Sequence, residues 1–188
     1  NPTKGWRYSP RCGDSDSSIT GWCLMALFKA KEAGASIPDS CFKGAIAWFD
    51  EVTDNEGIVG YNANGTGQVV IQGLSILYKD HYTTTADGIL ARVLVNNKYN
   101  DPIILKGIEL LYKDLPEWDI DKGTIDYNHW YHTALALYKT KNNYNTKWNT
   151  WKQRLIDILV LKQNILTDEC KYGSWDPIDR WGTIGGPI

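Results

Sequence analysis

Apolar residues recur at spacings of three and four over six stretches of the chain, each bounded by residues that start or stop helices. Over 17–33 the stripe is Ile19, Trp22, Cys23, Ala26, Leu27 and Ala30, with Ser17 or Ser18 placed to cap its start and Gly34 its end. Over 39–52 it is Phe42, Ala45, Ile46 and Phe49, entered at Pro38. The pattern predicts further helices over 84–97 and 101–114, the second with Asp101 as cap and Pro102 at its first position, then over 128–141 and 145–163. Turns rich in Gly, Asn and Asp join them in pairs, so the expectation is an all-α fold of three helical hairpins.

The stretch 57–82 breaks this rhythm. It carries glycines at 57, 60, 65, 67 and 73 beside β-branched Val69, Val70 and Ile71, so a strand or short hairpin competes with a helix there, and 62–82 reads as an irregular insertion. Elsewhere one unit recurs: an apolar helix, a polar gap, then a glycine turn carrying an aromatic ring. It spans KGAIAWFDEVTDNEGIVGY at 43–61, KGIELLYKDLPEWDIDKGTIDY at 106–127 and RLIDILVLKQNILTDECKYGSW at 154–175. A repeated unit of this kind implies stacked hairpins whose stability depends on their neighbours.

The third copy, with Gln163 followed by Gly173, Ser174 and Trp175, resembles the QW motif of squalene and oxidosqualene cyclases. In that motif a glutamine near a helix end bonds into the next turn and the tryptophan packs against it. Trp48, Gly60 and Tyr61 belong to a degenerate copy, with Thr53 where the glutamine would be. The strings GWRYSP at 5–10, which holds Trp6, DSDSSITGW at 14–22, VTDNEGIVGY at 52–61, HWYHTALALY at 129–138 and GSWDP at 173–177 are similar to bacterial proteins with prenyltransferase and squalene oxidase repeats, common in planctomycetes. The resemblance covers most of the chain apart from about 62–82. It implies a single terpenoid cyclase-like domain over 1–188, an arc of an (α/α) toroid within a longer chain, completed by another segment of the same protein or by a second subunit. It says little about chemistry, because one such barrel serves several activities.

Composition narrows the partners. With 188 residues and 43% apolar content the chain can bury one sizeable core, and a formal charge of −2 from evenly mixed groups offers no positive field for nucleic acid. The longest apolar runs, such as 155–161, fall short of the ~20 residues of a membrane span, so no transmembrane segment is expected. Asn1 is not an initiator, so an upstream segment such as a signal peptide is expected to have been cleaved or left out; the resemblance implies a bacterial protein, and the lack of a membrane span a soluble one, exported or not. Cys12, Cys23, Cys41 and Cys170 lack CxxC spacing; Cys23 and Cys41 read as buried thiols, whereas Cys12 and Cys170 could pair if the chain ends meet.

The candidate chemistry is thin. A class II cyclase acid needs a DxDD run, whereas Asp14-Ser15-Asp16-Ser17 lacks the doubled carboxylates and sits where a helix cap is wanted. Asp168 and Cys170 have the D-x-C spacing of prenyltransferase zinc ligands and Tyr131-His132-Thr133 matches the distant histidine, but in reversed order. No catalytic residue, metal site or cofactor is therefore assigned. Asp16, Trp22, His129, Trp130, His132 and Tyr138 are the ligand-binding candidates, and the expected ligand surface is the concave side formed by the N-terminal ends of the inner helices, near Asp16, Trp22, Trp130 and His132. Trp6, Trp48, Gly60, Tyr61, Gln163, Gly173 and Trp175 are assigned to the structural repeat. The expected function is a binding or interaction module for a lipid or other small molecule. The rival is a terpenoid cyclase or prenyl-transferring enzyme with its missing groups elsewhere, separable by whether an aromatic-walled pocket holds a buried carboxylate.

Overall fold

The computed structural model describes residues 4–67, 69–71, 74–76, 81–167, 170–179 and 181–182. The fold is all-α apart from one small hairpin. Its elements are α1 (Ser17–Glu32), α2 (Asp39–Val52), β1 (Val69–Ile71), β2 (Leu74–Ile76), α3 (Tyr82–Asn96), α4 (Pro102–Lys113), α5 (Tyr127–Thr140) and α6 (Asn145–Lys162). Helix α4 begins as its sequence dictates: the Asp101 side chain accepts from the Ile103 backbone N–H and Pro102 occupies the first turn. At α1 the cap is Asp16, not a serine. Its carboxylate accepts from Ile19 N–H at 2.8 Å, while Ser17 is already helical and turns its hydroxyl to the Gly60 carbonyl.

Part of the stretch read as irregular pairs into an antiparallel ribbon, Val69 opposite Ile76 and Ile71 opposite Leu74, as β-branched residues favour. Positions 68, 72–73 and 77–80 of that stretch lie outside the described residues.

Helices α1, α3 and α5 lie side by side, and α2, α4 and α6 pack behind them. The three front helices start at one end. Ser17 N–H and Val59 N–H tie the starts of α1 and α3 to the 59–61 turn, and the Tyr82 ring lies 5.5 Å from that of His129 at the start of α5. Helix α3 is the hub, packed against α1, α2, α4 and α5, and every residue from Thr84 to Val93 is buried. Its small residues permit this: a Cβ on Gly88 would come within 2.7 Å of a Val59 methyl.

Two apolar clusters result. Leu24, Trp48, Phe49, Val52 and Val59 fill one; Ile104, Ile108, Leu111, Trp130, Leu137 and Trp151 fill the larger. Each large side chain so buried contributes roughly 1.5–3 kcal/mol. Arg92 stitches α3 to the end of α2, donating to the Phe49 carbonyl, the Thr53 hydroxyl and, at 2.9 Å, the Asp50 carboxylate.

The aromatic turns act as rivets. Tyr61 is buried, and the Trp48 indole N–H donates to Ser17 Oγ at 3.2 Å. Asn64 donates to the Glu51 and Thr53 carbonyls, tying its turn back to the end of α2. The Trp6 carbonyl accepts from Asp16 N–H, closing loop 6–16. At the far end Gln163 Nε2 donates to the Gly173 carbonyl at 2.7 Å and the Trp175 indole donates to the Leu159 carbonyl at 2.8 Å.

Candidate functional site

Trp22, Asp87 and His132 each lie five residues past the first residue of their helix, namely Ser17, Tyr82 and Tyr127. Because the three helices start at one end, these positions fall at one depth, and the side chains meet across α3. His132 Nδ1 lies 2.6 Å from Asp87 Oδ1, and Trp22 Nε1 lies 3.3 Å from His132 Nε2. An indole N–H can only donate, so Nε2 is the acceptor and the ring proton sits on Nδ1, directed at Asp87.

Asp87 and His132 are almost fully buried, and Asp87 Oδ2 has no hydrogen-bond partner among the described residues. Gly21 makes the close approach possible, since a Cβ there would stand 2.7 Å from the Asp87 carboxyl carbon. Burial pushes the Asp87 carboxyl above its ordinary range against the pull of His132. Burial alone disfavours the charged form of His132, but Asp87, with a smaller effect of Asp126, outweighs it and moves the ring upward.

Two rings flank this buried pair at the surface. Trp22 is 51% exposed and Tyr131 58% exposed, the latter perpendicular to the His132 ring at 5.2 Å. Tyr138, two turns further along α5, is also half exposed, with its edge against Trp148 and the Lys141 ammonium 3.7 Å from its ring centre.

His129 faces elsewhere. Its Nε2 lies 2.6 Å from Asp114 Oδ2 and its Nδ1 3.0 Å from the Thr133 hydroxyl, so both nitrogens are engaged. It borders a cleft of about 270 Å³ between the starts of α3 and α5, the end of α4 and the 115–124 loop. The walls carry Asp114, Glu117, Lys122 and Thr124, and Lys122 pairs with Asp119 at 2.9 Å and Glu117 at 3.6 Å. A larger hollow of about 660 Å³ is lined only by consecutive residues of loop 5–14, with Arg7 and Asp14 paired across it at 2.6 Å.

The six ligand-binding candidates thus separate. Trp22 and His132 meet, and Tyr138 shares the α5 face with Tyr131. Trp130 is buried in a cluster with Trp118 and Tyr127, and Asp16 is fully buried as a helix cap, its carboxyl raised by desolvation against Ile19 N–H, Arg7 and Tyr61. Asp87 and Asp114, the partners of the two histidines, carry no signal in the sequence: each is a single acid at a helix end or in a helix, and only the packing brings it to its ring.

All four thiols are free; Cys12 and Cys170 are exposed, and Cys23 and Cys41 are half-buried, not the buried thiols expected. Among the described residues no three His, Cys, Asp or Glu side chains group as a metal site requires, and Asp168 lies outside them. No described helix is long and apolar enough to cross a membrane. No family model matches the chain, and no curated protein or solved structure matches it.

Proposed function

We propose that the chain is an arc of an (α/α) toroid acting as a binding module, with its ligand held on the face shared by α1 and α5. The observation that carries this reading is the pair of half-exposed rings, Trp22 and Tyr131, fixed on either side of a hydrogen-bonded histidine. Rings placed by a hydrogen bond and a ring contact to His132 offer an apolar surface with polar groups at its edge. Repeat geometry supports the toroid: Gln163 bonds to the turn at Gly173 and Trp175 to the helix before it, as a QW unit would.

The apolar face that α6 leaves open, with Ile156, Val160 and Leu161 exposed, is the seat we assign to the next pair of helices, from the same protein or a second subunit. The equivalent faces of the two earlier hairpins are covered by α3 and by α5 with α6.

The enzymatic alternative is favoured by one observation, the buried Asp87 carboxyl with its free oxygen. That carboxyl is sealed between Gly21 and His132, not set in an aromatic-walled pocket, while the open cleft beside His129 is polar. Incubation with labelled squalene and polyprenyl diphosphates, with and without divalent metal, separates the two readings. Binding without turnover, weakened about tenfold or more in a Trp22→Ala/Tyr131→Ala double variant, is expected, because each ring removes apolar ligand surface from water worth on the order of 1 kcal/mol at about 25 cal/mol per Å². Turnover of any of these compounds by the native chain, or affinity unchanged in the double variant, would overturn the proposal.

A further inference from the structure

His132 holds two hydrogen bonds that cannot both survive protonation. The Trp22 indole donates to Nε2, and Nε2 accepts only while it is bare. A proton from solvent added there turns the acceptor into a donor, so that two N–H groups face each other at 3.3 Å. The bond on the other side is strengthened, because Nδ1–H then joins an imidazolium to the Asp87 carboxylate at 2.6 Å.

The two partners differ in their freedom to respond. Asp87 is buried and packed against Gly21, whereas Trp22 has half its surface in solvent and can rotate outward without disturbing the core. The charged groups acting on the ring are Asp87 of α3 and Asp126 at the start of α5, both acidic, and α1 presents no charge there, only Gly21 and Trp22. Both carboxylates favour the protonated ring, and the Trp22 bond opposes it.

We propose that Trp22, His132 and Asp87 form a proton-operated latch: with the imidazole neutral the Trp22 indole is tied across α3 to α5, and protonation at Nε2 releases it to solvent. The latch joins the first front helix to the third, so its release loosens α1 from α5 and uncovers the His132 edge. It is a property of three side chains, independent of the ligand-binding reading and measurable with no ligand present. If that reading also holds, acid would remove one of the two flanking rings from the ligand face.

The test is a pH titration of the 15N-labelled chain from about pH 9 to 5, following the tryptophan indole N–H signals and the histidine ring nitrogens by NMR. A Trp22→Phe variant assigns the Trp22 signal, and as Trp22 is half exposed the variant is expected to fold. Loss of the hydrogen-bonded Trp22 signal position and protonation of His132 should share one midpoint. In Trp22→Phe, removal of the donor to the neutral ring should raise that midpoint by roughly 0.5–1 pH unit. The latch is overturned if His132 protonates while the Trp22 signal stays, if the ring stays in one state while backbone amides report an intact fold, or if Trp22→Phe leaves the midpoint in place.

Discussion

Gly21 shows how one missing methyl group can set a contact between helices. In an exposed helix Gly→Ala stabilises by about 1 kcal/mol, because alanine loses less backbone freedom. At Gly21 the added carbon would meet the Asp87 carboxyl at 2.7–2.9 Å, and Asp87 is held in turn by His132. Overpacking of a fixed buried group costs roughly 1–3 kcal/mol, so Gly21→Ala should destabilise the fold, opposite to its propensity, in urea unfolding. The same residues show what a sequence can and cannot reveal about a site. Trp22 and His132 stand out because they are large or titratable residues on apolar stripes. Asp87 does not, since an acid near a helix start is ordinarily a solvated complement to the dipole. Nothing in the spacing tells that α1 and α5 would reach across α3 to meet over it.

At the scale of elements, the caps and stripes were legible because helix signals are local. Every predicted helix formed within two residues of its expected bounds, and Asp101 with Pro102 opens α4 by the mechanism its sequence implies. The cap of α1 falls on Asp16, before both of the serines expected there, since Asp16 and Ser17 are both competent and the choice falls to tertiary contacts: Ser17 is needed at Gly60. The 69–76 ribbon was ambiguous because a run of β-branched residues that short fits either structure. The turn 53–61 draws its strength from elements distant in sequence. Gly57, at φ +83°, lies so close to α4 that a Cβ would stand 2.7 Å from Gly107 N and 2.8 Å from the Ile103 carbonyl oxygen. Gly34, at φ +94°, has open space around it. Both alanine variants bear the left-handed penalty of about 1–2 kcal/mol, but only Gly57→Ala must also push α4 away. It should lose at least about 1 kcal/mol more than Gly34→Ala by thermal or urea denaturation.

For the whole molecule, the helices differ in how they are anchored, and that difference predicts where the structure opens first. Ten successive residues of α3 are buried against four other helices, whereas α6 buries only Trp151 and Ile158 and leaves Val160 and Leu161 largely in water. Opening free energy follows the apolar contacts a segment must break, so α6 belongs to the low end of the range and α3 to the global end. Leu90→Ala, in the middle of α3, should cost about 2–5 kcal/mol and lower amide protection in all six helices together. Ile158→Ala removes a similar side chain from the edge of the layer. It should speed exchange in α6 well before α1 to α3 respond, as read by native-state hydrogen exchange. Uniform loss of protection in both variants would mean that α6 is locked to the core as firmly as α3. Its exposed apolar stripe would then no longer mark a face that needs another pair of helices to hold it in place.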